Sequence, residues 1–65
     1  MPFIQVTMLA GRSVEQKHAL IRKLSAATAE ALDTPIERVR VAIYEVTADE
    51  WGTGGEPIAI ARPNG

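Results

Sequence analysis

The sequence has no cysteine and one histidine, His18. Disulfides and thiolate metal sites are therefore excluded, and His18 has no second histidine at a spacing suited to a shared metal ion. We interpret His18 as a solvent-facing residue of a helix. The sequence accordingly predicts a protein without a metal site.

Long apolar runs and blocks of one charge are also missing. No run approaches the roughly eighteen apolar residues of a membrane-spanning helix, and no charged segment followed by an apolar one marks a secretory signal. The chain has seven basic and eight acidic residues, which gives a net charge of −1. Binding to nucleic acid or to a membrane is therefore disfavoured, and a cytoplasmic location is expected.

The chain is short for a domain that folds alone. We expect one domain over residues 1–65, and a chain of this length buries only about 60% of its unfolded surface by itself. Small domains are commonly supported by disulfides, metals or self-association, and the first two are excluded here. Because 46% of the residues are hydrophobic, more than such a monomer easily hides from water, we expect self-association.

The first half of the chain predicts a strand followed by a helix. Residues 3–9 alternate between two faces, as a half-buried strand does. Ser13, with Gln16 three residues later, forms a capping box, so the helix should run from about Ser13 to Leu32. The residues predicted to form its core face are Val14, Leu20, Ile21, Leu24, Ala27, Ala31 and Leu32.

A second strand follows the helix. Residues 33–35, DTP, should end the helix, and residues 39–46 are rich in β-branched residues. Strand, helix and strand joined by short connections form a right-handed βαβ unit with parallel strands. One face of this sheet has no helix to cover it, and a second copy of the chain could do so. The apolar residues predicted on that face are Phe3, Leu9, Ala42 and Val46.

The last part of the chain predicts a hairpin. GTGG, residues 52–55, lacks the lysine and the spacing of a phosphate-binding loop, so a hairpin turn is the better interpretation. Residues 58–62, IAIAR, would then form one short final strand. Glu45, Asp49 and Glu50 are expected in or beside this turn, where charged residues are routine, and they carry little weight as acids or bases.

Arginines are the candidate anion-binding residues. Arg40 interrupts an otherwise apolar strand, where a guanidinium is costly to bury unless it meets an anion or a subunit interface. An interface ion pair and a ligand clamp stay equally open for Arg40. Arg12 precedes the helix, whose first backbone N–H groups favour an anion. Arg38 precedes the second strand and is interpreted as solvated.

Pro2 suits the start of a strand poorly, because proline has no backbone N–H and a fixed φ. A methionine in front of a small residue such as proline is normally removed, so Pro2 would carry a free secondary amine. An α-amino group has a pKa of about 7.7 to 8.0, and burial or neighbouring arginines lower the pKa of an amine. Pro2 is therefore a candidate neutral general base.

Together these features resemble the 4-oxalocrotonate tautomerase family. The resemblance rests on PFIQVTMLAGRSVEQKHALI after Met1, RVRVAIYEV in the middle and WGTGGE near the end, in that order over most of the chain. It implies an α+β, tautomerase-type fold, a single βαβ unit with a C-terminal hairpin. Two chains would form a four-stranded sheet with two helices on one face, and such dimers commonly assemble into a hexamer.

The resemblance also implies a cofactor-independent tautomerase of aromatic catabolism, acting on a small 2-hydroxydienoate such as 2-hydroxymuconate. Pro2 would be the general base that moves a proton from the dienol oxygen to a carbon. Arg12 would bind the distal carboxylate, and Arg40 would bind the near carboxylate and the 2-oxo oxygen. Trp51, where the family's type member has phenylalanine, and Leu9 would line the site. In the family the arginines and the aromatic residue reach the proline from neighbouring subunits.

Other members of the family leave alternatives open. Some work as two similar subunit types, so a hetero-oligomer stands beside a homo-oligomer. A catalytically inert βαβ assembly or binding module, with Pro2 blocked, is the alternative from another functional class. Dehalogenase relatives carry an added glutamate in the glycine turn, whereas this chain has Thr53 there, which disfavours hydration of a haloacrylate.

Overall fold

A computed structural model describes residues 1–61, and it consists of a βαβ unit followed by a small hairpin and a short helix. The elements are β1 (Phe3–Leu9), α1 (Val14–Leu32), a 3₁₀ turn (Ile36–Arg38), β2 (Arg40–Val46), β3 (Gly52–Thr53), β4 (Glu56–Pro57) and α2 (Ile58–Ala61). Within these described residues, no helix is both long and apolar enough to cross a membrane. The predicted strand, helix and strand are confirmed, with β2 beginning one residue later than expected.

β1 and β2 lie side by side in parallel, as predicted. On one face of the sheet the register aligns Val6 with Ile43, and both side chains are half-buried. On the opposite face it aligns Thr7 with Tyr44, and both are exposed. Phe3 on this face is exposed as well, whereas Leu9, Ala42 and Val46 are half-buried, so α1 leaves this face largely uncovered in the single chain, as the sequence pattern predicts.

α1 begins and ends where the sequence predicts. Ser13 is the N-cap, and the reciprocal capping box with Gln16 is present. At the other end Asp33 adopts the left-handed conformation, with a φ of 51°, and its N–H bonds to the carbonyls of Ala29 and Glu30. The exposed position of His18 on this helix also agrees with its prediction. The helix boundaries thus follow from local signals alone.

The buried face of α1 differs from the predicted one. Leu20, Ile21 and Leu24 are half-buried as expected, but the exposed residues include Val14, Ala27, Ala31 and Leu32. A helix of 19 residues is about 28 Å long, whereas a strand of seven residues spans roughly 23 Å, so the helix ends extend past the sheet. The sheet is also only two strands wide, so it covers a narrow stripe and leaves the flank with Ala27 uncovered.

The hairpin predicted for the glycine segment is confirmed. β3 and β4 pair in antiparallel fashion around Gly54 and Gly55. These glycines have φ values of 62° and 88°, and a type I′ hairpin turn requires a positive φ at both central residues. Glycine adopts such angles without steric cost, which explains the GG pair at this position.

The short final strand predicted for residues 58–62 is wrong. Ile58–Ala61 forms α2, and Arg62 lies outside the described residues. The N–H groups of Ile58 and Ala59 donate to the carbonyls of Trp51 and Ala48, at 2.7 and 3.1 Å, so neither is free to pair with a strand. Alanine also has the strongest helix propensity, and an alternating run this short suits either structure.

The single chain has very little interior. Among residues 1–61, Val39 and Ile58 are the buried hydrophobic side chains, while Phe3 and Tyr44 are 59% and 49% exposed. The accessible surface of 4966 Å² exceeds the roughly 4,000 Å² of a typical monomer of this mass. The radius of gyration of 14.9 Å likewise exceeds the value of about 11 Å for a compact chain of this length. The chain therefore exposes apolar surface that folded proteins normally cover.

Candidate active site

The predicted site residues lie at two opposite ends of the sheet. Pro2 directly precedes β1 and Arg40 begins β2, so both lie at the amino-terminal end of the parallel pair, which we call the proline end. Leu9 is the last residue of β1, while Arg12 and Trp51 follow the carboxyl ends of β1 and β2. We call this second group the tryptophan end. The parallel topology thus divides the predicted site into two halves.

At the proline end, Arg40 contacts both Pro2 and the preceding turn. Its backbone N–H donates to the Pro2 carbonyl at 3.0 Å, and its guanidinium Nη1 donates to the Glu37 carbonyl at 2.7 Å. Because the N–H of Arg40 bonds across the sheet, it does not extend the 3₁₀ turn, and this leaves the Glu37 carbonyl available to the guanidinium. Pro2 is half-buried, whereas Met1 is exposed. The guanidinium is thus held against the 3₁₀ turn by main-chain carbonyls, while the backbone of Arg40 bonds to Pro2.

At the tryptophan end, Arg12 lies in the connection between β1 and α1. The N–H of Ala10 donates to the Val46 carbonyl at 2.9 Å, which continues the pairing of β1 with β2. Gly11 then turns the chain with a φ of 131°, in a region that is essentially restricted to glycine. The Arg12 side chain is exposed, and its guanidinium makes no hydrogen bond or ion pair with any residue in the described part of the chain. The guanidinium is therefore accessible to an anion.

Trp51 and Leu9 supply the apolar surface at the same end. Trp51 is half-buried, and its carbonyl accepts from the N–H of the buried Ile58, which fixes its backbone. Leu9 is half-buried and aligned with Val46, on the face of the sheet that α1 leaves bare. Arg12 therefore lies at the same end of the sheet as two apolar side chains.

Two of the acidic residues near this end, Glu45 and Glu50, have partners. The Glu50 carboxylate accepts from the Thr47 hydroxyl at 2.8 Å, inside the turn that precedes Trp51. Glu45 lies in β2 rather than in a turn, and it forms an ion pair with Lys17 of α1 at 2.9 Å. Sequence reasoning missed this pair. Its signal was available, since strand alternation places Glu45 on the same face as Ile43, where a helix covers the sheet and a carboxylate needs a cation.

The two ends of the site are far apart within one chain. A strand rises about 3.3 Å per residue, so the seven residues of β1 span roughly 23 Å between Pro2 and the connection that carries Arg12. This distance is much longer than an arginine side chain or a small dicarboxylate. The structure therefore places the Arg40 backbone beside Pro2 and places Arg12 far from it, so a site containing both Pro2 and Arg12 needs a second chain. That the Arg40 guanidinium also reaches Pro2 from a neighbouring subunit stays a prediction.

The chain is similar to known proteins over most of its length. The model of a family described as tautomerase enzyme matches residues 2–61. The 2-hydroxymuconate tautomerase of Pseudomonas sp. (strain CF600) is 48% identical over 62 residues, covering 95% of this chain and 98% of that protein. A Pseudomonas putida protein of the same name is 54% identical over 57 residues, covering 88% of this chain and 90% of that protein. The sequence likeness thus spans nearly the whole chain.

Solved structures agree with this likeness. TomN, a 4-oxalocrotonate tautomerase homologue in the tomaymycin biosynthetic pathway, matches with a TM-score of 0.93 at 43% identity, covering 97% of each chain. A heterohexamer 4-oxalocrotonate tautomerase from Chloroflexus aurantiacus J-10-fl matches with a TM-score of 0.91 at 48% identity, covering 95% of this chain and 100% of that chain. The predicted fold is confirmed, and the chain belongs to the tautomerase family and is an isomerase.

Proposed function

We propose that the chain converts a small 2-hydroxydienoate such as 2-hydroxymuconate into its keto form without a cofactor, as a step in aromatic catabolism. The observation that carries this proposal is the presence of one arginine at each end of the sheet. When the tryptophan end of one chain meets the proline end of another, Arg12 and Arg40 offer a cation to each carboxylate of a dicarboxylate. The similarity to proteins named 2-hydroxymuconate tautomerase supports the same substrate class.

The proposed reaction moves one proton and consumes nothing. The Pro2 amine takes the proton from the 2-hydroxyl group, the oxygen electron pair forms the carbonyl, and the double bonds shift along the conjugated chain. The protonated amine then returns the proton to a carbon of that chain. Negative charge on the oxygen is stabilised by Arg40, and Arg12 holds the distal carboxylate. Leu9 and Trp51 exclude water, which strengthens these charge interactions.

The proposed base requires removal of Met1. While Met1 is attached, the Pro2 nitrogen belongs to a tertiary amide, whose lone pair is delocalised into the carbonyl. Removal of Met1 converts this nitrogen into a secondary amine at the start of β1. The bond from Arg40 to the Pro2 carbonyl would then hold the amine in a fixed position.

The proposed assembly is a homo-oligomer built from dimers, with a hexamer as the complete form. Each dimer would join two βαβ units into a four-stranded sheet with two helices on one face. The bare sheet face and the exposed Phe3 and Tyr44 support association, since they leave apolar surface in water. The separation of Pro2 from Arg12 supports it independently, because only a second chain supplies the missing half of the site.

A second candidate is that this chain is one of two subunit types. The likeness to a subunit of a heterohexamer 4-oxalocrotonate tautomerase favours it. The two candidates differ in what the purified chain does alone. A homo-oligomer is active by itself, whereas one subunit of a hetero-oligomer gains its activity when the other subunit is added.

The function is tested by following the loss of the dienol absorbance of 2-hydroxymuconate with the purified chain, after intact mass has shown that Met1 is absent. We expect ketone formation well above the rate in buffer. The matched control is Pro2→Ala, which keeps a terminal amine but changes its class and position. An assembled, Met1-free chain whose rate equals that of buffer would refute an enzyme that is active as a homo-oligomer.

A further inference from the structure

The ion pair between Lys17 and Glu45 lies outside the proposed site but joins the two elements that lead to it. Lys17 is in the first part of α1, Glu45 is near the end of β2, and Nζ and Oε1 are 2.9 Å apart. Their side chains are 26% and 30% exposed. It is the one ion pair within residues 1–61. The proposed reaction does not use it.

A continuous series of bonds connects this pair to Arg12. The backbone N–H of Lys17 donates to the Ser13 carbonyl at 3.1 Å, and Ser13 is the neighbour of Arg12 in the chain. The Ser13 hydroxyl accepts from the Gln16 N–H, and the Gln16 side chain accepts from the Ser13 N–H, each at 3.1 Å. The first turn of α1 is thus a bonded unit, and a shift at Lys17 moves the backbone beside Arg12.

On the other side of Arg12, the end of β1 is bonded to Val46, the residue of β2 that follows Glu45. The bond from Ala10 to the Val46 carbonyl fixes the end of β1, and Gly11 leads from there to Arg12. The segment around Arg12 is therefore anchored at two consecutive positions, Glu45 and Val46. The turn that carries Trp51 begins directly after Val46. The segments that carry Arg12 and Trp51 are consequently both attached to the end of β2.

We propose that Lys17 and Glu45 are positioning residues that hold Arg12 in place relative to Trp51. The proposal rests on the proposed function, in which Arg12 binds the distal carboxylate. Without the ion pair, the Ala10 to Val46 bond remains as a pivot, and the start of α1 can shift and carry Arg12 with it. Small displacements of a binding group of this kind reduce productive substrate binding. Because both side chains are largely covered, water and salt screen this pair less than a fully exposed one.

The test compares two substrates and four variants. Glu45→Gln keeps a hydrogen-bond acceptor but removes the charge, Lys17→Met removes the cation, and the double variant Lys17→Glu/Glu45→Lys reverses the pair. Lys23→Met, at an exposed position of the same helix, is the control. Each is assayed with 2-hydroxymuconate, which has two carboxylates, and with phenylenolpyruvate, which has one.

We expect both single variants to raise KM for 2-hydroxymuconate roughly three- to tenfold, because Arg12 is displaced from the distal carboxylate. KM for phenylenolpyruvate and kcat for both substrates should stay near those of the unmodified chain, as should all values for Lys23→Met. The reversed pair should restore KM for 2-hydroxymuconate. If Lys17→Met fails to assemble, Glu45→Gln and the reversed pair still decide the matter.

An equal rise in KM for both substrates would show that the pair only stabilises the fold, and no rise would show that it does not act on Arg12. Either result overturns the proposal, as does a reversed pair that restores nothing. Arg12→Ala is the reference variant. If Arg12→Ala itself fails to separate the substrates, the proposed role of Arg12 is wrong. If it separates them and the Lys17 and Glu45 variants do not, the positioning role alone is wrong.

Discussion

Pro2 can act as a base only when its nitrogen is an amine, so the chemistry of this one atom depends on Met1. We expect chains that retain Met1 to be essentially inactive, because an amide nitrogen does not accept a proton near neutral pH. A processed Pro2→Ala chain should keep a small residual activity, since it presents a primary amine in a shifted position. Intact mass and the rate of ketone formation, measured on the same sample, check both outcomes.

The control for this prediction is the processed, otherwise unmodified chain prepared in parallel. Should homogeneous protein that retains Met1 catalyse the exchange as fast as this control, Pro2 is not the base. The acceptor would then have to be sought elsewhere in the site.

The two arginines should differ in the kinetic constant that they affect. We expect Arg12→Ala to raise KM for dicarboxylates and to spare monocarboxylates, because it removes a contact to the distal carboxylate alone. Arg40→Ala should lower kcat roughly 10²-fold, which is typical of the loss of one donor to a developing oxyanion. Steady-state kinetics with 2-hydroxymuconate and phenylenolpyruvate measure both effects. Small and equal effects from the two changes, in assembled protein, would contradict these roles.

Among the elements, α1 depends on its capping box for a defined start. We expect Ser13→Ala to destabilise the protein by about 1 kcal/mol, because the Gln16 N–H loses its acceptor. Ser13→Thr retains a hydroxyl cap and should stay close to the unmodified stability. Thermal unfolding at one fixed protein concentration compares the variants. Equal stability of Ser13→Ala and Ser13→Thr would mean that the cap contributes nothing measurable to this helix.

The elements also show what can be predicted from the sequence. The start of α1 at Ser13, its end at Asp33 and the glycine hairpin depend on a few adjacent residues, so local patterns were sufficient. Whether Ile58 lies in a helix or a strand depends instead on its backbone bond to Trp51, which a short alternating run cannot reveal. The buried face of α1 depends on the width and length of the sheet beneath it. Its position was therefore decided by tertiary structure rather than by helical periodicity.

For the site, the sequence indicated candidate residues but not how one chain separates them. Residue type and local position were enough to single out Pro2 and Arg12. The distance between them follows from the parallel pairing of β1 with β2 and the length of both strands. The ion pair between Lys17 and Glu45 likewise depends on how α1 crosses the sheet, which residue type alone does not specify.

At the scale of the whole molecule, we expect no stable folded monomer. A single chain with so little interior leaves apolar side chains such as Phe3 and Tyr44 in water, and association covers them. Sedimentation at micromolar concentration should show assemblies built on dimers, and activity per chain should fall where dilution separates the chains. A folded species of 7.0 kDa with full activity would contradict this expectation.

The length of β1 also determines how a defect in one chain affects the sites that it shares with other chains. In the proposed assembly each chain lends its Arg12 to a site whose base belongs to another chain, since roughly 23 Å of strand separates the two within one chain. Where defective and intact chains assemble together, a chain defective at Arg12 therefore damages sites that contain an intact Pro2. Two alleles that are defective at opposite ends can in turn complement each other, because some mixed sites receive both intact residues.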